Sequence, residues 1–177
     1  MRCYFAELYS HYRFDKAGYQ QFLKEQGLKE HDIKRLNIHL VTHFTSLHFK
    51  GDKALEEEGE YYQRSKMYVE QGNKLIRGFY RPYDPPNCEY AAIYLRPSMC
   101  HTPTHLNHVL LHETRHHIQY CLKLPCCSII NAGIESEAHG AACQPWEIDA
   151  EQFASTYNRV PAFLLPIPRP PKRSDFF

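Results

Sequence analysis

Residues 107–120 read NHVLLHETRHHIQY, and the fold follows from what the run His112-Glu113-Thr114-Arg115-His116 needs around it. Four residues along an α-helix turn about 400° and advance roughly 6 Å, so two imidazoles at that spacing leave the same face one turn apart. A single Zn²⁺ can then take one ring nitrogen from each at about 2.0–2.1 Å. Glu113 stands beside such a metal without binding it. There its carboxylate can take a proton from a water whose pKa the metal lowers towards about 7, then pass it to a leaving amine. The flanks suit a packed helix. Val109, Leu110 and Leu111 precede the first histidine and Ile118 follows the second, giving an apolar stripe, and Thr102-Pro103 reads as an N-cap followed by proline at the first helical position.

Two histidines do not hold a zinc ion. A catalytic site takes three protein ligands and leaves one position open for water or substrate. An extension with Gly three and His six residues after the second histidine would supply the third, but Gln119 and Leu122 stand at those places, which excludes it. A glutamate from a second helix downstream is the other common solution. Residues 145–154 (PWEIDAEQFA) offer it, with Pro145 at a helix start and Trp146, Ala150, Phe153 and Tyr157 apolar at helical spacing. Glu147 and Glu151 fall one turn apart on one face, so Glu147 is placed to ligate while Glu151 accepts a hydrogen bond from the far ring nitrogen of a ligating histidine. Glu135 and Glu137 compete for the ligand role from the Gly- and Ala-rich segment 131–142, which reads as loop without helical register.

With these residues in view, the chain resembles the gluzincin metallopeptidases, whose pattern is HExxH followed by Glu-x-x-x-Asp on a second helix. Within them it looks most like the small intracellular ImmA/IrrE type. The matching pieces are Gly78-Phe79-Tyr80, the strand-like 90–95 (YAAIYL), HETRH, Glu147, Ala150, Phe153-Ala154 and Leu164-Leu165-Pro166, over residues 74–166. Glu151 stands where that type usually has Asp or Asn, and Thr114-Arg115 replaces its small pair; SprT-like peptidases share the same skeleton. The resemblance implies a zincin-like α+β domain over residues 1–166, with a small sheet packed on the HExxH helix and on a second helix bearing the third ligand. It implies one Zn²⁺ held by His112, His116 and Glu147, with Glu113 as catalytic base and a peptide or protein as substrate. A zinc-binding regulatory or toxin-like module of the same fold, without turnover, is the alternative. His139 and Tyr157 are the candidates in sequence for a second donor to an oxyanion. A strand just before the active helix borders the substrate cleft in such proteins, so 90–95 is expected to pair with an extended peptide.

Composition agrees with an ordinary globular domain: 177 residues, 43% hydrophobic and 23% charged. The net charge of +1 gives no broad electrostatic footprint for nucleic acid. Neither a leader-like apolar segment nor a run of about 18 apolar residues occurs, so no membrane span and a cytoplasmic location are expected. The seven cysteines are odd in number and lack CxxC spacing, which favours reduced, buried thiols over a structural metal site. Cys100, His101 and His105 are a rival ligand group whose simpler reading is a solvated loop-to-helix junction.

The remaining segments read as scaffold. Residues 15–26 have Tyr19, Phe22 and Leu23 at helical spacing with Gly27 as a C-cap. Residues 36–49 (LNIHLVTHFTSLHF) alternate like a strand or two, with His39 and His43 on one face and His48 on the other, most simply as scattered surface histidines. Glu56-Glu57-Glu58 is a solvated face or turn. Pro82, Pro85 and Pro86 mark a loop between two strand-like runs. After Leu164-Leu165, which should lie on the body, 167–177 reads as a Pro-rich basic tail.

Overall fold

The computed structural model describes residues 1–44, 76–83, 85, 89–125, 145–158 and 162–167. Its architecture is α+β: a four-stranded mixed sheet, a two-stranded ribbon, and helices packed against them. The sheet comprises β1 (Arg2–Phe5), β3 (Leu36–Leu40), β5 (Ala91–Leu95) and β4 (Gly78–Arg81), in the order β1-β3-β5-β4. The first three are parallel and β4 runs antiparallel to β5. The ribbon pairs β2 (Tyr12–Phe14) with β6 (Leu164–Pro166).

Between β2 and β3 lie α1 (Lys16–Glu25) and α2 (Glu30–Arg35). Helix α1 begins where Asp15 Oδ1 accepts from the Gly18 N–H at 2.9 Å. It buries Tyr19, Phe22 and Leu23, and the chain turns away at Gly27, whose φ of 89° is left-handed. The expected strand over 36–49 is shorter than its alternation suggests: pairing ends at Leu40, and 45–49 lie outside the described residues.

Strand β5 decides how the sheet serves the site. All five of its residues are buried, and it is hydrogen-bonded to β3 on one side and β4 on the other. The expectation that 90–95 adds a peptide strand is therefore overturned, because an interior strand has both ladders filled. Among the described residues β4 is the edge on that side. One sheet face carries Ile38, Leu40, Ile93 and Leu95 into the main core. Across the other face Tyr4, His39, Tyr94 and Phe79 lie in register on all four strands, with ring centroids 4.7, 4.7 and 4.9 Å apart. His39 is thus one rung of an aromatic ladder rather than a scattered surface histidine.

Helix α3 (Pro103–Leu122) lies against this sheet and crosses α4 (Pro145–Tyr157). The N-cap is as expected, the Thr102 side chain accepting from the His105 N–H at 3.0 Å. From 105 to 119 α3 has no exposed residue, and its partly buried ones, His105, His108, His112, Arg115 and His116, share the face that carries the histidines of the motif. Its polar groups are satisfied by neighbouring elements: Thr114 donates to the Leu110 carbonyl and is bonded by Tyr19 Oη of α1, both at 2.6 Å, and Asn107 Oδ1 accepts from the Phe163 N–H at 3.0 Å. No helix among the described residues is long and apolar enough to cross a membrane.

Candidate metal centre

His112 and His116 project from α3 and Glu147 from the first turn of α4, and the crossing of the two helices brings them together. His112 Nε2 is 3.0 Å from Glu147 Oε2, His116 Nε2 is 3.5 Å from Glu147 Oε1, and the two Nε2 atoms are 3.2 Å apart. A tetrahedral zinc with bonds near 2.0–2.1 Å separates its ligand atoms by about 3.3 Å. The separations lie close to that value, the two histidines facing different oxygens of Glu147, so the residues present fit one such ion. Among the described residues this is the group of His, Cys, Asp and Glu side chains able to hold a metal.

Electrostatics follow from the same contacts. Burial raises the Glu147 carboxyl, but hydrogen bonds from His112 and His116 outweigh it and hold the group at about 2. Burial lowers His116, yet the bond to Glu147 and the nearby Glu113 charge prevail and push it up to about 9. His112 is raised for the same reasons. Glu113, 7% exposed, is raised by burial; the two histidines and a hydrogen bond from the Tyr80 backbone N–H oppose that shift without cancelling it. That N–H belongs to β4. Arg77 accepts from the Arg96 N–H, so alternation along an antiparallel ladder turns the Gly78 and Tyr80 amides away from β5, and the carboxylate of Glu113 meets the second of them.

Around the donors, the structure places the remaining sequence candidates differently. Glu151 lies one turn beyond Glu147, its Oε2 3.4 Å from His112 Nδ1 and its Oε1 3.0 Å from His108 Nε2. Tyr157 is ten residues past Glu147, about 15 Å along a helix; it packs on Phe22 and Phe153 and its hydroxyl accepts from Gln26, so it is not brought to the donors. Cys100 is half-buried, its thiol pushed up to about 11 by burial and directed at the Arg96 carbonyl, and it forms no ligand group with His101 and His105. Cys3 and Cys121 are free thiols. Glu135, Glu137, His139, His48, Glu56-Glu57-Glu58, Cys88, Cys126, Cys127, Cys143 and the tail from 168 lie outside the described residues.

Sequence reading missed three residues linked to this group, Gln119 directly and Asp149 and Arg115 through it. Arg115 pairs bidentately with Asp149, Nε to Oδ2 at 2.7 Å and Nη2 to Oδ1 at 3.1 Å. Gln119 reaches His116 Nδ1 with Oε1 at 2.9 Å, and its Nε2 donates to Asp149 Oδ2 at 2.7 Å and to the Trp146 carbonyl at 2.9 Å. Their only signal was position: Gln119 follows His116 by one turn and Asp149 follows Glu147 by two residues.

A cavity of about 850 Å³ opens beside His116 and Glu147. Tyr80, Tyr83, Tyr120 and Trp146 give it aromatic walls, with Arg35 among its polar groups. The Arg35 guanidinium lies over the Tyr83 ring, 4.5 Å from its centroid. Comparison with protein-family models, curated proteins and solved structures finds no match.

Proposed function

We propose that the protein is a zinc-dependent hydrolase of peptide bonds. One observation carries the reading: donor atoms of His112, His116 and Glu147 converge at separations suited to one zinc ion, with the buried carboxyl of Glu113 beside them. Two neutral nitrogens and one carboxylate oxygen suit zinc in a catalytic, three-ligand arrangement. When bound, the ion would act as a Lewis acid, acidifying water and polarising a carbonyl. Glu113 would accept the proton from the attacking water and return it to the leaving amine. Burial favours that role, since a carboxyl raised from its ordinary value is a better proton acceptor near neutrality. The Tyr80 N–H would hold the carboxylate in place through both transfers. One further feature favours a peptide: the aromatic cavity beside the donors has room for a large side chain.

The test is a pair of substitutions assayed on peptide substrates and by metal analysis. Glu113→Gln should retain zinc and lose roughly 10²–10⁴-fold in kcat. Glu147→Gln should lose zinc itself. Hydrolysis by Glu113→Gln at the wild-type rate would sink the catalytic assignment.

A further inference from the structure

We propose that Gln119 is the positioning residue that sets which nitrogen of His116 faces the metal, with Asp149 and Arg115 holding its amide in one orientation. The inference rests on the metal-centre reading above and adds to it a device for orienting one ligand.

The amide of Gln119 has only one consistent orientation. One end faces the Trp146 carbonyl at 2.9 Å and Asp149 Oδ2 at 2.7 Å. A carbonyl and an ionised carboxylate can only accept, so that end is the nitrogen. Asp149 is kept ionised by the bidentate Arg115 guanidinium. The other end of the amide is therefore the oxygen, 2.9 Å from His116 Nδ1. A carbonyl oxygen cannot donate, so Nδ1 carries the hydrogen. In a neutral imidazole the lone pair is then on Nε2, the atom that stands 3.2 Å from His112 Nε2 and 3.5 Å from Glu147 Oε1. The chain of bonds runs from Arg115 on α3 to Asp149 on α4, back to Gln119 on α3, and into the ring of His116.

Burial makes the arrangement consequential. Gln119 is 1% exposed, and truncating it removes both the acceptor facing the His116 N–H and the donor facing the Trp146 carbonyl. His112 is oriented differently, its Nδ1 facing the half-exposed carboxylate of Glu151 at 3.4 Å. The two histidines therefore lean on unlike acceptors, a neutral amide and a carboxylate. Gln119 also joins the helix bearing two ligands to the backbone of the turn bearing the third, so it fixes the spacing of α3 and α4 at the height of the site.

The experiment uses the full-length protein loaded with zinc. Nitrogen NMR of the histidine rings should show His116 coordinated through Nε2, with a hydrogen on Nδ1 that exchanges slowly with water. Coordination through Nδ1 would overturn the proposal, and this measurement needs no variant to fold. Gln119→Met keeps length and bulk but offers only a weak thioether acceptor and no donor. Circular dichroism should find it folded without metal, its zinc affinity in chelator competition should fall roughly 10–100-fold, and the Nδ1 hydrogen should exchange quickly. A folded Met variant that binds zinc within about twofold of wild type would remove Gln119 from the site. Wild-type protein whose zinc binding is absent, or indifferent to Glu147→Gln, would instead overturn the metal centre itself.

Discussion

At the residue scale, the pairing of His116 with Glu147 sets a pH signature of the metal-free protein. His116 is pushed up to about 9 against an ordinary 6.5. The stability it contributes is fully present below 6.5 and is lost as pH rises through about 9. Glu147 is held at about 2 against 4.5, so its contribution is present above 4.5 and lost as pH falls through about 2. His117, 1% exposed, is lowered by burial to about 4; the unfolded chain protonates it first, and stability falls as pH drops from 6.5 towards 4. Thermal melts of metal-free protein should therefore peak near pH 6.5 and decline on both sides; a flat alkaline limb would contradict the His116 assignment. The spacing of HETRH was readable from the chain because it depends on the turn of one helix, and Glu147 because it stands one turn before Glu151 on a second helix and matches the third ligand of the family the chain resembles. Gln119, Arg115 and Asp149 were not, since their roles exist only once α3 and α4 cross at a fixed distance.

Elements show the same divide. Caps are local, so Thr102 announced the start of α3 and Gly27 the end of α1. Strand order is not local: the apolar run of β5 suits an edge or an interior strand equally, and only pairing with both β3 and β4 decided it. Gly78 is where β4 touches α3. A Cβ there would stand 2.7 Å from Val109 Cγ1 and 3.1 Å from the Tyr94 carbonyl, so Gly78→Ala should destabilise by about 1–3 kcal/mol in urea titrations. Val109→Ala should recover part of that loss, and additive effects would show that the contact is not the cause. At the other end of α3, Lys123 has a φ of 51°, a left-handed cap that glycine adopts without penalty. Lys123→Gly should therefore stabilise by about 1 kcal/mol, read as an upward shift in melting temperature.

For the whole molecule, the donors matter because they belong to two helices separated by a long stretch of chain. An ion gripped by both acts as a cross-link available only to the folded state. Zinc at about 100 times its dissociation constant should add about 2.7 kcal/mol to stability, and a strong chelator should return the melting temperature to that of Glu147→Gln. An equal chelator response in Glu147→Gln and wild type would mean that the ion stabilises from elsewhere. Individual helices and strands were legible from their periods, and the general α+β organisation from the family resemblance. The aromatic ladder across the sheet was not, because Tyr4, His39, Tyr94 and Phe79 come from four distant segments.

The lack of any exposed residue on α3 from 105 to 119 has an evolutionary consequence. An ordinary surface helix drifts freely along its wet face while its core face is held constant. Here the metal donors, Glu113, the Thr114 hydroxyl, the Asn107 amide and the Gln119 amide each answer to a different neighbour. Substitutions along this helix must then arrive in compensating pairs, Arg115 with Asp149 or Val109 with Gly78. Divergent descendants of this chain would retain a nearly unbroken fifteen-residue signature while the rest of the sequence changed around it.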